Sequence, residues 1–480
     1  MISCNLISAF LKQWVVLENG VFMVGKPLKQ PMVKQATTYS DFVLHTCYED
    51  IPVDVIERAK DLILDLIGVS AAAHAIKASR LGREAAVRLF NTAIEDDKAR
   101  ILFDGRTASV AGAAYAGATQ IDSLDAHDGY SAAKGHAGCG LLPAVLAFSE
   151  KDDHFSGRDL LTSMVIGYET GCRAGLALHG TVTDYHTSGA WISLAVAALG
   201  VRLNGAGPDV LRHAIGISEY HGPRSQMMRE IDNPTMLHDG SGWGSMVGVV
   251  AAELALSGFE GAPAVTIEGD SAAEYWRDLA IEWLTCRQNI KLFPVCRWAH
   301  APIQAALNIR SEHAISADEI KGIEIYGFHE ATRLAQNMPE TTGKAQYSIS
   351  YPVAAALTCG KLGAHEISGK TFTDPDITRL VSVTTVSECS ECNDNFPQDR
   401  LGRTVVETRD GRRLDSGIVR APGEHSNPVD RGGIIEKFRE LAVPVLGSSR
   451  AARIEETVFT LDRQDVLANE LTDLLYPAID

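Results

Sequence analysis

From Pro52 onward the apolar positions of the chain recur at three- and four-residue spacing. Val55, Ala59, Leu62, Ile63 and Leu66 mark one face of an amphipathic helix, with Pro52 near the first turn, where its missing N–H costs least. The same spacing predicts helices over residues 108–119, 141–150, 159–178, 188–203, 208–218 and 245–257, with Gly205 and Gly258 just past two of the ends. The first of these runs is rich in Ala and Gly, which lets neighbouring backbones approach closely. Near Asn289 the pattern changes. Residues 320–326 (IKGIEIY) and 381–386 are rich in β-branched residues at strand length, and 404–408, Asp410-Gly411 and 414–419 read as a hairpin. Two predicted helices, 301–314 and 352–362, lie among them. After Pro428 helical spacing returns at Ile434, Phe438 and Leu441, then at Val466, Leu467, Leu471 and Leu474. The pattern predicts a mainly α protein with an α+β part, a large all-helical domain interrupted by a smaller α/β insertion. The expected division is an N-terminal extension (1–38), a first helical part (39–288), the α/β domain (289–427) and a helical return (428–480).

One stretch breaks the apolar periodicity. Residues 121–143, IDSLDAHDGYSAAKGHAGCGLLP, place Asp122, Asp125, His127, Asp128, Tyr130, Lys134 and His136 within fifteen positions between two apolar runs. Gly129, Gly135, Gly138 and Gly140 disfavour a regular helix, each interior glycine costing about 1 kcal/mol against alanine. A loop is predicted, and the alternative to a functional loop is a solvated connection. Four other patches set ionisable or aromatic groups beside glycine or proline: residues 184–189 (DYHTSG), 221–245 with Arg224, Arg229 and His238, 291–300 (KLFPVCRWAH), and 347–352. A single histidine at a helix start is more often a cap or a packed core group than a catalyst. Taken together, His136, His186 and His300 meeting in one cleft would suit general acid/base work near neutrality, and Arg224, Lys291 or Arg297 would hold carboxylates. For Cys139 and Cys296 a packed thiol is expected rather than a nucleophile.

Charge narrows the partners. With 61 acidic against 44 basic residues the net charge is −17, so nucleic acid and anionic membrane are not expected to bind. The nine cysteines are odd in number and scattered, which favours free thiols in a reducing, cytoplasmic setting, and the single Cys389/Cys392 pair has no second pair with which to hold zinc. No phosphate-binding glycine loop, HExxH, EF-hand loop or GxSxG elbow occurs. Neither a metal nor a cofactor is expected. Residues 1–36 do not read as the start of a domain and are too polar to span a bilayer.

SLDAHDGYSAAKGHAGCGLLPA resembles the aspartate-rich loop, ending in a histidine and an LPA helix, of the MmgE/PrpD family. That family includes 2-methylcitrate dehydratase, cis-aconitate decarboxylase and iminodisuccinate epimerase. The likeness continues in DYHTSGA, HDGSGWGSMVGVVAAELALSGFEGAP, KLFPVCRWAHAPIQAAL, AQYSISYPVAAAL and NPVDRGGIIEKFRELA, from about Asp41 to the C-terminus. It implies a helical domain interrupted by an α/β lid, a homodimer, no cofactor and an active site between the domains. By position, the resemblance implies that Asp125, His136, His186, His300 and Tyr351 are catalytic, and Asp128, Lys134, Arg224, Thr235, His238, Lys291 and Arg297 are expected to bind substrate. Two positions depart from the pattern. Thr235 stands where decarboxylase-like members carry a lysine, with His238 the nearest ionisable group after it, and Gly129 replaces a common threonine or serine. The resulting expectation is a cofactor-independent hydro-lyase acting on a hydroxylated di- or tricarboxylate, 2-methylcitrate-like first. An epimerase or isomerase, a decarboxylase, and an inactive carboxylate-binding homologue are the alternatives.

Overall fold

The computed structural model describes residues 37–479, within one compact unit. Residues 1–36 of the expected N-terminal extension lie outside the described residues.

The helical spacing is realised in long buried helices. In Val53–Ala73 the positions Ala59, Leu62, Ile63 and Leu66 are fully buried. Val110–Asp122 is capped by the Ser109 hydroxyl, which accepts from the Gly112 N–H, and Gly157–Thr181 opens with a Ser156/Asp159 capping box. Gly138–Ser149 and Ser241–Leu256 pack on Val110–Asp122, and Gly189–Leu203 packs in turn on Ser241–Leu256. The predicted loop is therefore shorter than expected, because Gly138 and Gly140 lie inside a helix. Packing outweighs propensity there: a Cβ on Gly138 would stand 2.3 Å from the Tyr168 hydroxyl, and one on Gly140 2.5 Å from Ile192.

The chain's end folds back on its first long helix. Arg431–Leu446 packs against Val53–Ala73, with Phe438 fully buried and its ring 3.0 Å from where a Gly68 Cβ would be. Beside it Lys437 pairs with Asp65 (2.5 Å) and donates to the Ala126 carbonyl (2.7 Å), at the base of the polar loop.

Strands are few. β1 (Lys98–Arg100) and β2 (Thr107–Ser109) form a small antiparallel pair that the sequence did not predict, three residues being too short to show a period. β3 (Ile320–Gly327), β4 (Thr384–Glu388), β5 (Leu401–Thr408) and β6 (Arg413–Asp415) lie in the order β4-β3-β5-β6, with β7 (Val419–Arg420) also on β5. β3 and β4 are parallel and the other pairs antiparallel. The predicted strand at 381–386 is corrected: Pro375–Ser382 is a helix, capped by Asp374, whose carboxylate accepts from the Asp376 and Ile377 N–H groups, and the strand starts at Thr384. An Asp-Pro start outweighs a run of β-branched residues. The His300–His313 helix lies across β5. Among the described residues no single helix is long and apolar enough to cross a membrane, and the described cysteines are free thiols.

The Asp65–Lys437 pair ties both ends of the helical part together while nearly inaccessible to water. Lys437→Met is expected to cost about 3–5 kcal/mol in urea unfolding, because it leaves Asp65 buried without a counter-charge. Lys321→Ala, which breaks an exposed pair with Glu407 across β3 and β5, is expected to cost less than about 1 kcal/mol.

Candidate active site

The polar loop leaves Val110–Asp122 and enters Gly138–Ser149 through two residues in left-handed conformation, Asp125 (φ 55°) and Lys134 (φ 55°). Its middle closes on itself, the Tyr130 N–H donating to the Gly135 carbonyl (2.8 Å). It is also tied to residues far along the chain, the Asn289 N–H donating to the Gly129 carbonyl (2.7 Å). These backbone bonds bring the loop against the segment that opens the α/β region. The pocket between them is lined by Asp125, Lys134, His136, Lys291 and Arg297, all expected site residues. It also receives Asp239, Asn289, Cys296, Tyr347 and Arg400.

Neutral His136 is held in one tautomer. Its Nδ1 faces the Asp128 carbonyl, which can only accept, so the ring proton sits on Nδ1 and the Nε2 lone pair is left toward Asp239 Oδ2, 3.8 Å away. The His136 N–H donates to Ser188 Oγ (2.9 Å), and Ser188 Oγ donates to Asp239 Oδ1 (2.7 Å). Burial, and then the neighbouring His127, holds the His136 pKa below its usual 6.5, so it is a neutral base at pH 7. Burial raises the Asp239 pKa, but His136 and Ser188 outweigh it and the carboxyl stays below its usual range. His127 packs against His136, ring centroids 4.5 Å apart, its Nδ1 3.3 Å from the same Asp128 carbonyl and its Nε2 3.4 Å from Asp122.

Gly129 has a physical reason. A Cβ there would stand 2.8 Å from His136 Nδ1, so any larger side chain displaces the imidazole.

The cations divide into two kinds. Lys291, fully buried, pairs with Asp125, and Arg297 pairs with Glu424 at 2.9 Å. Lys134 lies over the Tyr185 ring (5.8 Å), and Arg400 donates to the carbonyls of Ser131 (3.3 Å) and Pro397 (3.4 Å). Neither has an ion-pair partner among the described residues.

The expected meeting of three histidines does not occur. His300 is buried behind Arg297, its Nδ1 accepting from Arg297 Nη1 (3.0 Å) and its Nε2 donating to the Val295 carbonyl (3.1 Å), so neither nitrogen is free. Burial, then Arg297, pushes its pKa well below 6.5. His186 donates to the Arg224 carbonyl (3.2 Å) and stacks on His179, outside the pocket. The Tyr351 hydroxyl is bound to the Glu366 carbonyl and to Thr371, both at 2.7 Å. Asp128 contributes its carbonyl to the site, but its carboxyl faces the core near Tyr168, where burial and then Asp65 push its pKa to about 7. Arg224 is exposed and does not line the pocket. Thr235 and His238 line a neighbouring cavity of about 400 Å³, the Thr235 hydroxyl donating to Glu230 (2.9 Å). For His300, Tyr351 and Thr235, backbone carbonyls or a neighbouring side chain take the polar atoms that a cleft-facing reading assigns to substrate, whereas His238 Nδ1 is buried without a hydrogen-bond partner among the described residues. Asp122, His127 and Cys139 bring ligand atoms within 4.8 Å of one another, the described set compact enough to hold a metal ion. Burial and then Asp122 raise the Cys139 thiol well above its usual pKa.

Two domain families account for most of the length. The MmgE/PrpD N-terminal domain matches residues 37–275, and the MmgE/PrpD C-terminal domain matches residues 293–463. The chain belongs to the MmgE/PrpD family. Within this family, the cis-aconitate decarboxylase-like protein oryM of Aspergillus oryzae is 25% identical over 460 residues, covering 86% of this chain and 91% of that one. A cis-aconitate decarboxylase of Aspergillus terreus is 25% identical over 462 residues, 86% and 90% of the two chains. Family membership of this kind supports an enzyme with a lyase-type role.

Arg400 gave no signal in the sequence, standing alone in a polar segment far from every motif. Asp239 and Tyr347 lay inside noted patches, but nothing in the spacing singled them out, and Cys296 was read there as a packed thiol.

Gly129→Ala is expected to lower kcat at least a hundredfold while the protein stays folded by circular dichroism, because the added methyl moves His136 off its carbonyl. The acid limb of kcat/KM is expected below pH 6.5: His136 must be neutral to act, and its folded pKa is depressed. A pH profile with its acid limb at or above 6.5 contradicts this assignment.

Proposed function

We propose that this protein is a cofactor-independent lyase that removes water from a hydroxylated di- or tricarboxylate, with His136 as the base. The observation that carries the reading is the His136 environment: Nδ1 fixed on the Asp128 carbonyl, Nε2 open beside an ionised Asp239, and four cations around the same space. His136 Nε2 takes the proton α to a carboxylate, and Asp239 stabilises the imidazolium. The electron pair of that C–H bond becomes the new C=C bond as the C–O bond breaks. The leaving hydroxyl takes a proton from the Lys291 ammonium, which Asp125 orients, and departs as water. Cations on the substrate carboxylates hold the enolate-like charge that develops.

This moves the acid from a second histidine or Tyr351 to Lys291, since His186 lies outside the pocket and His300 and Tyr351 are engaged elsewhere. Decarboxylation is the second reading, favoured by the names of the Aspergillus relatives. Against it stands Thr235, which offers no amine and is bound to Glu230. A second copy of the chain is the proposed partner, supported by the row of Trp243 (50% exposed), Val250 (43%) and Leu254 (36%) along the Ser241–Leu256 helix. Trp243→Glu is expected to shift sedimentation toward a monomer.

His136→Gln is expected to lower turnover at least a thousandfold, and Lys291→Met comparably, with products of citrate-, aconitate- and malate-like acids followed by mass. Unchanged turnover in both variants refutes the mechanism. Solvent deuterium entering recovered substrate without net water loss indicates epimerisation, and CO2 released from cis-aconitate indicates decarboxylation.

A further inference from the structure

The two unmatched cations of the pocket carry a substrate class. Arg400 is 7% exposed, its Nε has no hydrogen-bond partner among the described residues, and its other nitrogens reach only carbonyls. Glu424 lies within electrostatic reach of Arg400 but is bonded to Arg297, so two guanidiniums share one acid, and a ligand carboxylate matches the planar fork left over. Lys134 is similarly unmatched, on a strained turn that the Tyr185 hydroxyl fixes by donating to the Lys134 carbonyl (2.7 Å). Lys291 and Arg297, by contrast, are neutralised by Asp125 and Glu424. Two cations thus remain for substrate.

Asn289 adds a third contact. It is 3% exposed, its amide nitrogen donates to Ser131 Oγ (3.2 Å), and its Oδ1 has no partner among the described residues. A Cβ on Gly129 would lie 3.3 Å from that oxygen and 2.8 Å from His136 Nδ1, so acceptor and base flank the same glycine. An amide oxygen accepts from a hydroxyl and repels a carboxylate. With two cations left for two carboxylates, a third carboxylate on a ligand would face Asn289 Oδ1 or the Asp125 and Asp239 carboxylates that line the same pocket.

We infer that the site selects hydroxylated dicarboxylates over tricarboxylates, with one carboxylate on Arg400, the other on Lys134 and the hydroxyl donating to Asn289 Oδ1. The inference deepens the dehydratase reading, but recognition rests on the unmatched cations and the unpaired amide oxygen rather than on the elimination step.

The test uses the full chain, titrated calorimetrically with malate, tartrate, succinate, citrate and 2-methylcitrate, with products followed by mass. Malate or tartrate is expected to bind at least tenfold tighter than citrate or 2-methylcitrate. Lys134→Ala and Arg400→Gln are each expected to weaken diacid binding at least tenfold, and Arg400→Lys less. Asn289→Ala is expected to erase the preference for malate over succinate. Should Arg400→Gln fail to fold, Arg400→Lys and Lys134→Ala decide the matter. Tighter tricarboxylate binding, or diacid affinity unchanged in those variants, overturns the inference. Diacids held through Lys134 and Arg400 without water release leave it standing and remove the dehydratase reading. Tricarboxylate dehydration with weak diacid binding does the reverse, and binding of neither class removes both.

Discussion

One backbone carbonyl, that of Asp128, faces the Nδ1 of His127 and of His136 at once. Because a carbonyl only accepts, it fixes the tautomer of both rings and decides which nitrogen of His136 faces Asp239. It can do so only because the loop around it is rigid. The Asp128 carboxyl is anchored in the core near Tyr168, Gly129 is bound to Asn289, and Lys437 holds the neighbouring Ala126 carbonyl. The helical frame therefore acts on the site through main-chain geometry rather than by supplying side chains.

Charge matching is the second constraint. Burying several cations together is tolerable only where each finds a carboxylate or carbonyl oxygens. Lys291 and Arg297 have carboxylates, and this makes them parts of the wall with fixed positions. Arg297 also occupies Nδ1 of His300, so a histidine that looks catalytic in the sequence serves to orient an arginine. Carbonyl oxygens alone take the hydrogen bonds of Arg400, and it shares the charge of Glu424 with Arg297, so it is only partly matched.

Much of the fold was legible because it rests on local periodicity. The Ala59, Leu62, Ile63 and Leu66 stripe, the capping serines and the Asp410-Gly411 turn each announce themselves within a few residues. The misreadings arose where local preference met a contact from elsewhere. Gly138 and Gly140 entered a helix because Tyr168 and Ile192 leave no room for a Cβ, and residues 381 and 382 followed the helix begun at Asp374-Pro375.

The sequence by itself determined the family, the helical frame with its small sheet, and the loop carrying Asp125, Lys134 and His136, since motif order and apolar spacing are properties of the chain read in line. Tertiary structure alone decided which polar atoms remain open. His300 and Tyr351 are spent on carbonyls and on Arg297 and His186 lies outside the pocket, while Asn289 and Arg400, which no motif marks, face it. The reason is that a side chain's availability depends on the atoms the folded chain sets around it. His300 and Tyr351 meet partners 3 to 15 residues away across turns, Asn289 and Arg400 reach Ser131 from 158 and 269 residues away, and neither kind of partner leaves a periodic trace.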